Sequence, residues 1–335
     1  MTNRAFAAVQ QFGWSRLVPS RRQAATPIAM RIIMATPAQT SSHDLQAYAV
    51  LSIAALCWAG NSIFGRLAVG EISPLLLVSF RWLGVLLLLL IFARRYIRQD
   101  WSVLRGRLPY IAIMGASGFA LFNALFYVAA HSTTAINLGI LQGALPIFVI
   151  LGMFAIFRVQ VTRIQMVGVI VTIAGVVIVG SAGSLARIAA LEFRLGDLLM
   201  IAACVLYAGY TVGLRNRPEV SALGFFTAMV AASFATSIPL TVAEAIAGQT
   251  QWPTAKGWAI IPMIVLFPSF LAQICFLRGV TLIGPNRAGV FINLVPIFAS
   301  VLAVIFLREK FEFFHGIALV FVLGGIWLSE HGKEK

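Results

Sequence analysis

The sequence predicts an all-α polytopic membrane protein: ten transmembrane helices arranged as two inverted-topology five-helix repeats. Three observations predict it. The 335 residues are 60% hydrophobic and only 11% charged, with a mean hydropathy of +0.92. A soluble chain carries roughly 25% charge, so polar residues here are too few to cover a water-facing surface. The apolar residues fall in ten runs that are continuous rather than alternating, which in a bilayer means helices and not barrel strands. Finally, the chain repeats itself.

The repeat is clearest in residues 135–158, AINLGILQGALPIFVILGMFAIFR, an apolar run broken by Pro146. It is long enough to cross a bilayer, which takes about 20 apolar residues. A second copy, PNRAGVFINLVPIFASVLAVIFLR, follows 150 residues later at 285–308, with Gly139, Pro146, Phe148 and Arg158 returning as Gly289, Pro296, Phe298 and Arg308. The match needs no gap from Leu121/Leu271 to Gly175/Gly325. Earlier in each copy, Trp58-Ala59-Gly60 corresponds to Tyr207-Ala208-Gly209, and Arg66 to Arg215.

The ten runs are 48–69, 74–93, 109–130, 135–157, 164–182, 196–214, 221–245, 258–280, 287–307 and 313–329. Repeats of 46–183 and 196–330 therefore hold five helices each, joined by a linker at 184–195 and followed by a short tail at 331–335. Five is odd, so the second copy enters the membrane upside down. In such folds the substrate site lies near the midplane where the repeats meet. Orientation follows from charge: with the N-terminus inside, 18 of the 25 Lys and Arg fall on the cytoplasmic side and 6 outside. Both termini are therefore expected in the cytoplasm of a cell inner (plasma) membrane. The same accounting removes nucleic acid as a partner, because loop arginines explain the net charge of +14.

Residues 1–45 stand apart. They carry Arg4, Arg16, Arg21, Arg22 and Arg31 with no acid before Asp44. This reads as a disordered basic tail, as a start assigned too early with Met30 or Met34 as the true one, or as an organellar leader. Cys57, Cys204 and Cys275 lie singly in apolar runs and form no disulfide framework.

Certain stretches resemble the EamA-type family of the drug/metabolite transporter superfamily. They are WAGNSIFGRLA at 58–68, Pro74 with Arg81, ALPIFVILGMFAIF at 144–157, Gly168 with Gly175, and LVPIFASVLAVIFLREKFEF with Gly324-Gly325. The resemblance spans about residues 48–330. It implies a ten-helix carrier for small metabolites, often an exporter of amino acids, with a pathway lined by helices one, three, four, six, eight and nine. It also implies a peripheral second helix.

The candidate site residues are the polar and aromatic groups inside the apolar runs. Asn123 maps onto Gln273, and paired carboxamides could read a zwitterion without bearing charge; interhelical glue is the other reading. Tyr127 shares the face of Asn123. Gln142 and Asn293 precede Pro146 and Pro296, which free backbone carbonyls and form either hinges at a midplane site or packing kinks. Trp58 and Asn61 share a face of helix one, as Tyr207 and Tyr210 do on helix six, and serve as site or interface anchors.

Arg81 is an intramembrane charge that either meets an anionic group or gate, or snorkels and pairs with backbone carbonyls. The implied peripheral place of helix two favours the latter. His131 and His315 are expected at wet span ends, and Asp197 and Glu244 at span ends. Without an acid deep in a span, strong proton coupling is not expected. With no P-loop, HExxH, nucleophile set or metal-ligand cluster, neither an enzyme, a metal nor a cofactor is expected. The expected partners are a small-molecule substrate and the lipid bilayer. The glycine-rich fifth and tenth helices are candidate faces for a homodimer.

Overall fold

The structure is a computed structural model that describes residues 42–184, 186 and 194–331. Residues 1–41 of the basic tail, most of the linker and the last four residues lie outside the described residues, while 42–45, expected in the tail, open the first helix. Among the described residues ten helices are long and apolar enough to span a membrane: α1 His43–Leu67, α2 Pro74–Phe92, α3 Arg94–Ala129, α4 Ala135–Phe157, α5 Arg163–Gly180, α6 Leu195–Asn216, α7 Ala222–Ile246, α8 Ala255–Gly284, α9 Arg287–Leu307 and α10 Phe313–Glu330. The end of the bundle where α1 begins and α10 stops is here called proximal, and the opposite end distal.

Most boundaries follow from local chemistry. Pro74 opens α2 from an extended Ser73, a position where a missing N–H costs nothing. Thr134, Ser221 and Thr254 accept the orphan N–H of Asn137, Gly224 and Gly257 at the starts of α4, α7 and α8. Thr162 and Gln165 form a reciprocal capping box at α5. One repeat later the start of α10 substitutes His315, whose Nδ1 accepts from the Glu312 N–H at 2.9 Å. Arg158 and Arg308 stop α4 and α9 alike, both left-handed at φ 54° and 53°.

One stretch differs from expectation. Residues 94–107, left between the second and third apolar runs, begin with the helix Arg94–Leu104. Its arginines face away while Leu104 is buried, the pattern of an interfacial helix whose mean hydropathy hides its apolar side. Asp100 on this helix caps the start of α7, accepting from the N–H and hydroxyl of Ser221.

Packing exchanges the repeats. α1 packs on α8 and α9, and its repeat counterpart α6 packs on α3 and α4; α2 meets α7, α4 meets α9 and α5 meets α10. Swapping the two copies maps this pattern onto itself, as a pseudo-two-fold axis in the membrane plane requires. The glycine faces of α5 and α10 are consumed in that contact. Gly168 lies against Gly325 and Ser329, and Gly175 against Val322 and Ala318, so these surfaces are buried within one chain rather than offered to a second copy. The close approach of small residues is what holds membrane helices together where burial from water cannot.

Candidate functional site

Between the repeats lies a cavity of about 250 Å³. Its wall includes Trp58, Asn61, Arg81, Asn123, Gln142, Pro146, Tyr207, Gln273 and Asn293. It runs from mid-span residues to Ser329 and Glu330 at the proximal end of α10. The walls come from the six helices that the resemblance implies and from three more. α2 contributes Arg81 and Trp82, α7 Phe226, and α10 Ile326, Ser329 and Glu330. The second helix is thus not peripheral here.

Two expected site residues stand behind the wall. Tyr127 is buried and gives its hydroxyl to Asn61 Oδ1 at 3.0 Å. Tyr210 is turned against Phe119, with ring centroids 5.5 Å apart. Pro296 likewise faces inward, onto Gly143 of α4, whereas Pro146 is on the wall and α4 breaks just before it at Ala144. In α9 the turn before Pro296 tightens into a 3₁₀ segment, Phe291–Leu294.

Arg81 organises the polar centre. Its Nη1 donates to Asn61 Oδ1 at 2.8 Å, Asn123 Oδ1 at 2.7 Å and the Tyr127 hydroxyl at 2.6 Å. Asn123 in turn donates from Nδ2 to the carbonyl of Phe119 at 2.7 Å. Trp82 stacks on Phe119 at 4.9 Å beside it. The Arg81 side chain therefore neither snorkels nor pairs with backbone carbonyls. By contrast the side chains of Gln142, Gln273 and Asn293 make no hydrogen bond among the described residues, and the Gln142 Oε1 is buried without a partner. Three carboxamides are left to face whatever fills the cavity.

Sequence reasoning missed the backbone under this centre. α3 is π-helical over Ala116–Leu121 and α8 over Val265–Leu271, at equivalent places in the two repeats and each just before its carboxamide, Asn123 or Gln273. Such widened turns gather at functional sites. Pro268 inside the second was a visible signal, since proline leaves a carbonyl without its helical donor. Ser269 compensates by bonding the carbonyl of Ile264 at 2.7 Å.

The distal end is closed by polar groups joining the repeats. Glu309, between α9 and α10, accepts from the N–H groups of Ala135 and Ile136 at 2.9 and 3.0 Å, capping α4. Arg66 lies 4.0 Å from the same carboxylate and bonds the carbonyl of Ala130. Beside them Asp197 binds Thr133 and Asn137. The His315 ring meets Asn137 Oδ1 at 3.2 Å; because its Nδ1 accepts from Glu312, the neutral ring donates from Nε2.

His315 is thus buried rather than wet, because its ring replaces a capping side chain; His131 is exposed, as expected. Asp197 and Glu244 do lie at span ends, yet both are buried. Glu244 caps α2 through the N–H groups of Leu75 and Leu76 and the hydroxyl of Ser73. Further out, the Thr254 hydroxyl and then Lys256 hold the Glu71 carboxyl below the usual carboxylate range. That tether acts at neutral pH and is lost as pH falls through the lowered value.

The sequence pattern of the "EamA-like transporter family" matches this chain twice, over residues 45–181 and 194–330. A Bacillus subtilis (strain 168) protein named "Uncharacterized transporter YetK" is 26% identical over 296 residues, 87% of this chain and 89% of its own. An Archaeoglobus fulgidus protein named "Uncharacterized transporter" is 26% identical, covering 84% of this chain and 96% of its own. The Escherichia coli (strain K12) "Uncharacterized inner membrane transporter YedA" is 23% identical, covering 83% and 88%. A solved crystal structure superposes with a TM-score of 0.57 at 18% identity, covering 86% of this chain and 96% of its own, which speaks to the fold alone. With both halves matched and the ten-helix fold in place, the chain belongs to the EamA-like transporter family, and it is a polytopic membrane transporter rather than an enzyme.

Proposed function

We propose that this transporter is a facilitative carrier for small metabolites, amino acids foremost. On this reading it works by alternating access in the inner membrane, with both termini cytoplasmic and no strong proton coupling. The observation that carries the reading is the cavity between the repeats, which reaches the proximal end and stops beneath the Arg66–Glu309 cluster at the distal one. Its size supports a small cargo: drug-sized pockets run roughly 300–1,000 Å³, and this one is about 250 Å³. Its chemistry supports a polar cargo, since three unbonded carboxamides share the wall with Trp58, Tyr207 and Phe122. Glu330, at the mouth, is the one carboxylate on that wall among the described residues; at the distal end Asp197 is bonded to the side chains of Thr133 and Asn137 and Glu244 caps α2. A relay of acids across the membrane, the usual mark of proton coupling, has no members at cavity depth.

The test is counterflow of labelled amino acids in proteoliposomes, competed by unlabelled metabolites, amines, nucleosides and drugs. Amino acids should compete best. Replacing Asn123 and Gln273 together by Leu should abolish counterflow with membrane insertion intact; normal transport by that variant places the site elsewhere. An imposed pH gradient should not drive uphill accumulation, and accumulation against the metabolite gradient would refute the uncoupled mechanism.

A further inference from the structure

We infer that the substrate of this carrier presents one carboxylate and that Arg81 receives it; the inference rests on the carrier reading above. Arg81 is only 5% exposed in the middle of a membrane span. A guanidinium keeps its charge in a protein, and a charge at that depth normally pairs with an opposite one or faces a pathway. Arg81 has no opposite charge. Its three acceptors, Asn61, Asn123 and Tyr127, are all neutral, and no described carboxylate lies within ion-pair distance of it.

The bonding is also one-sided. All three acceptors sit on Nη1, while Nε is buried without a partner and Nη2 makes no bond among the described residues. The edge formed by Nε and Nη2 is the fork that takes a carboxylate through two parallel hydrogen bonds. The hydrogen bonds thus hold the guanidinium by one corner, with the Trp82 and Tyr127 rings 4.9 and 5.9 Å from its centre, on the wall of the cavity, and leave that edge without a hydrogen bond. An incoming carboxylate would satisfy it and neutralise the charge in one step. One cation balances one anion, so the class is a monocarboxylate or a zwitterionic α-amino acid. Amines and cationic drugs would meet an uncompensated like charge.

The experiment uses the purified full-length protein in detergent. Thermal stabilisation is measured with the L-amino acids and with C2–C6 monocarboxylates, each beside its amide and the matching amine. At least one acid should bind ten-fold or more tightly than its amide. Arg81→Gln should erase that preference, and Arg81→Lys should keep it with weaker binding. Asn61→Asp places a carboxylate where Oδ1 now sits 2.8 Å from Nη1. Supplying the counter-charge internally should leave the fold intact and remove the preference, so the test survives if Arg81→Gln fails to fold. If no acid exceeds its amide, or if Asn61→Asp keeps the preference, the inference is wrong. Counterflow separates the two claims: transport of an amine or nucleoside but no acid leaves the carrier standing and sinks this inference. Arg81-dependent acid binding without counterflow of any compound does the reverse.

Discussion

Gly118 sits where α3 meets α6, and a methyl group there would overlap the Tyr210 ring. Gly118→Ala should therefore displace the Tyr210 ring and cost roughly 1–3 kcal/mol, the usual penalty for overpacking. Thermal melting of the solubilised protein reads this directly, and an unchanged melting temperature would mean the ring relaxes freely.

Single residues also show how far a sequence can be read. Asn61, Asn123, Gln142, Gln273 and Asn293 were legible as polar groups in apolar runs, and all five are on the cavity wall. What stayed hidden was which of them are already spent. Asn123 and Gln273 are equivalent by repeat, yet Asn123 is bound to Arg81 and Gln273 is unbonded, because α7 offers no arginine where α2 offers Arg81. Tyr127 and Tyr210 looked like site aromatics by spacing alone. Their partners lie 46 residues away at Arg81 and 91 away at Phe119, and helical periodicity carries no information at that distance.

At the scale of elements, the repeats are copies whose ends differ. Glu309 locks the distal end by capping α4 beside Arg66. The matching proximal positions are Val159 for the acid and Pro285 for Ala135, one of its two backbone donors. Valine cannot accept, and proline has no N–H to donate. Arg215, the counterpart of Arg66, instead lies over the Phe157 ring, 4.5 Å from its centroid. Among the described residues the Glu309 lock thus has no counterpart at the equivalent proximal positions; there Arg287 pairs with Asp44 at 3.3 Å and bonds the Tyr48 hydroxyl at 2.7 Å, at the end that the cavity reaches.

Glu309→Gln weakens charge-assisted bonds worth roughly 1.5–3 kcal/mol. The balance should shift toward the distally open form by about ten-fold, since 1.4 kcal/mol is a factor of ten. A cysteine replacing the buried Ile140, in a background without Cys57, Cys204 and Cys275, should then react faster with a reagent added from the distal side. No change in labelling would show that the lock does not set the balance. Among elements, the prolines and caps were legible because they act locally. The π-helical turns of α3 and α8 and the helix Arg94–Leu104 were not, since a widened turn has the same apolar pattern as a regular one and an interfacial helix averages to a polar stretch.

For the whole molecule, the architecture was legible almost completely. Ten apolar runs, a 150-residue offset and an odd helix number together dictate two opposed five-helix repeats, and the packing pairs follow from their symmetry. The tertiary uses of that symmetry were not legible. The glycines of α5 and α10 signalled close helix contact, but nothing in their spacing said the contact would be within one chain.

The central claim is that cargo crosses between the repeats by opening the distal end that this structure holds closed. Cysteines at Ala135 and Glu309, whose parent residues are bonded at 2.9 Å, can be joined by a short reducible bifunctional thiol reagent in reconstituted protein. Alternating access predicts that amino-acid counterflow stops on cross-linking and returns on reduction. Counterflow continuing at full rate through the cross-linked protein would contradict it.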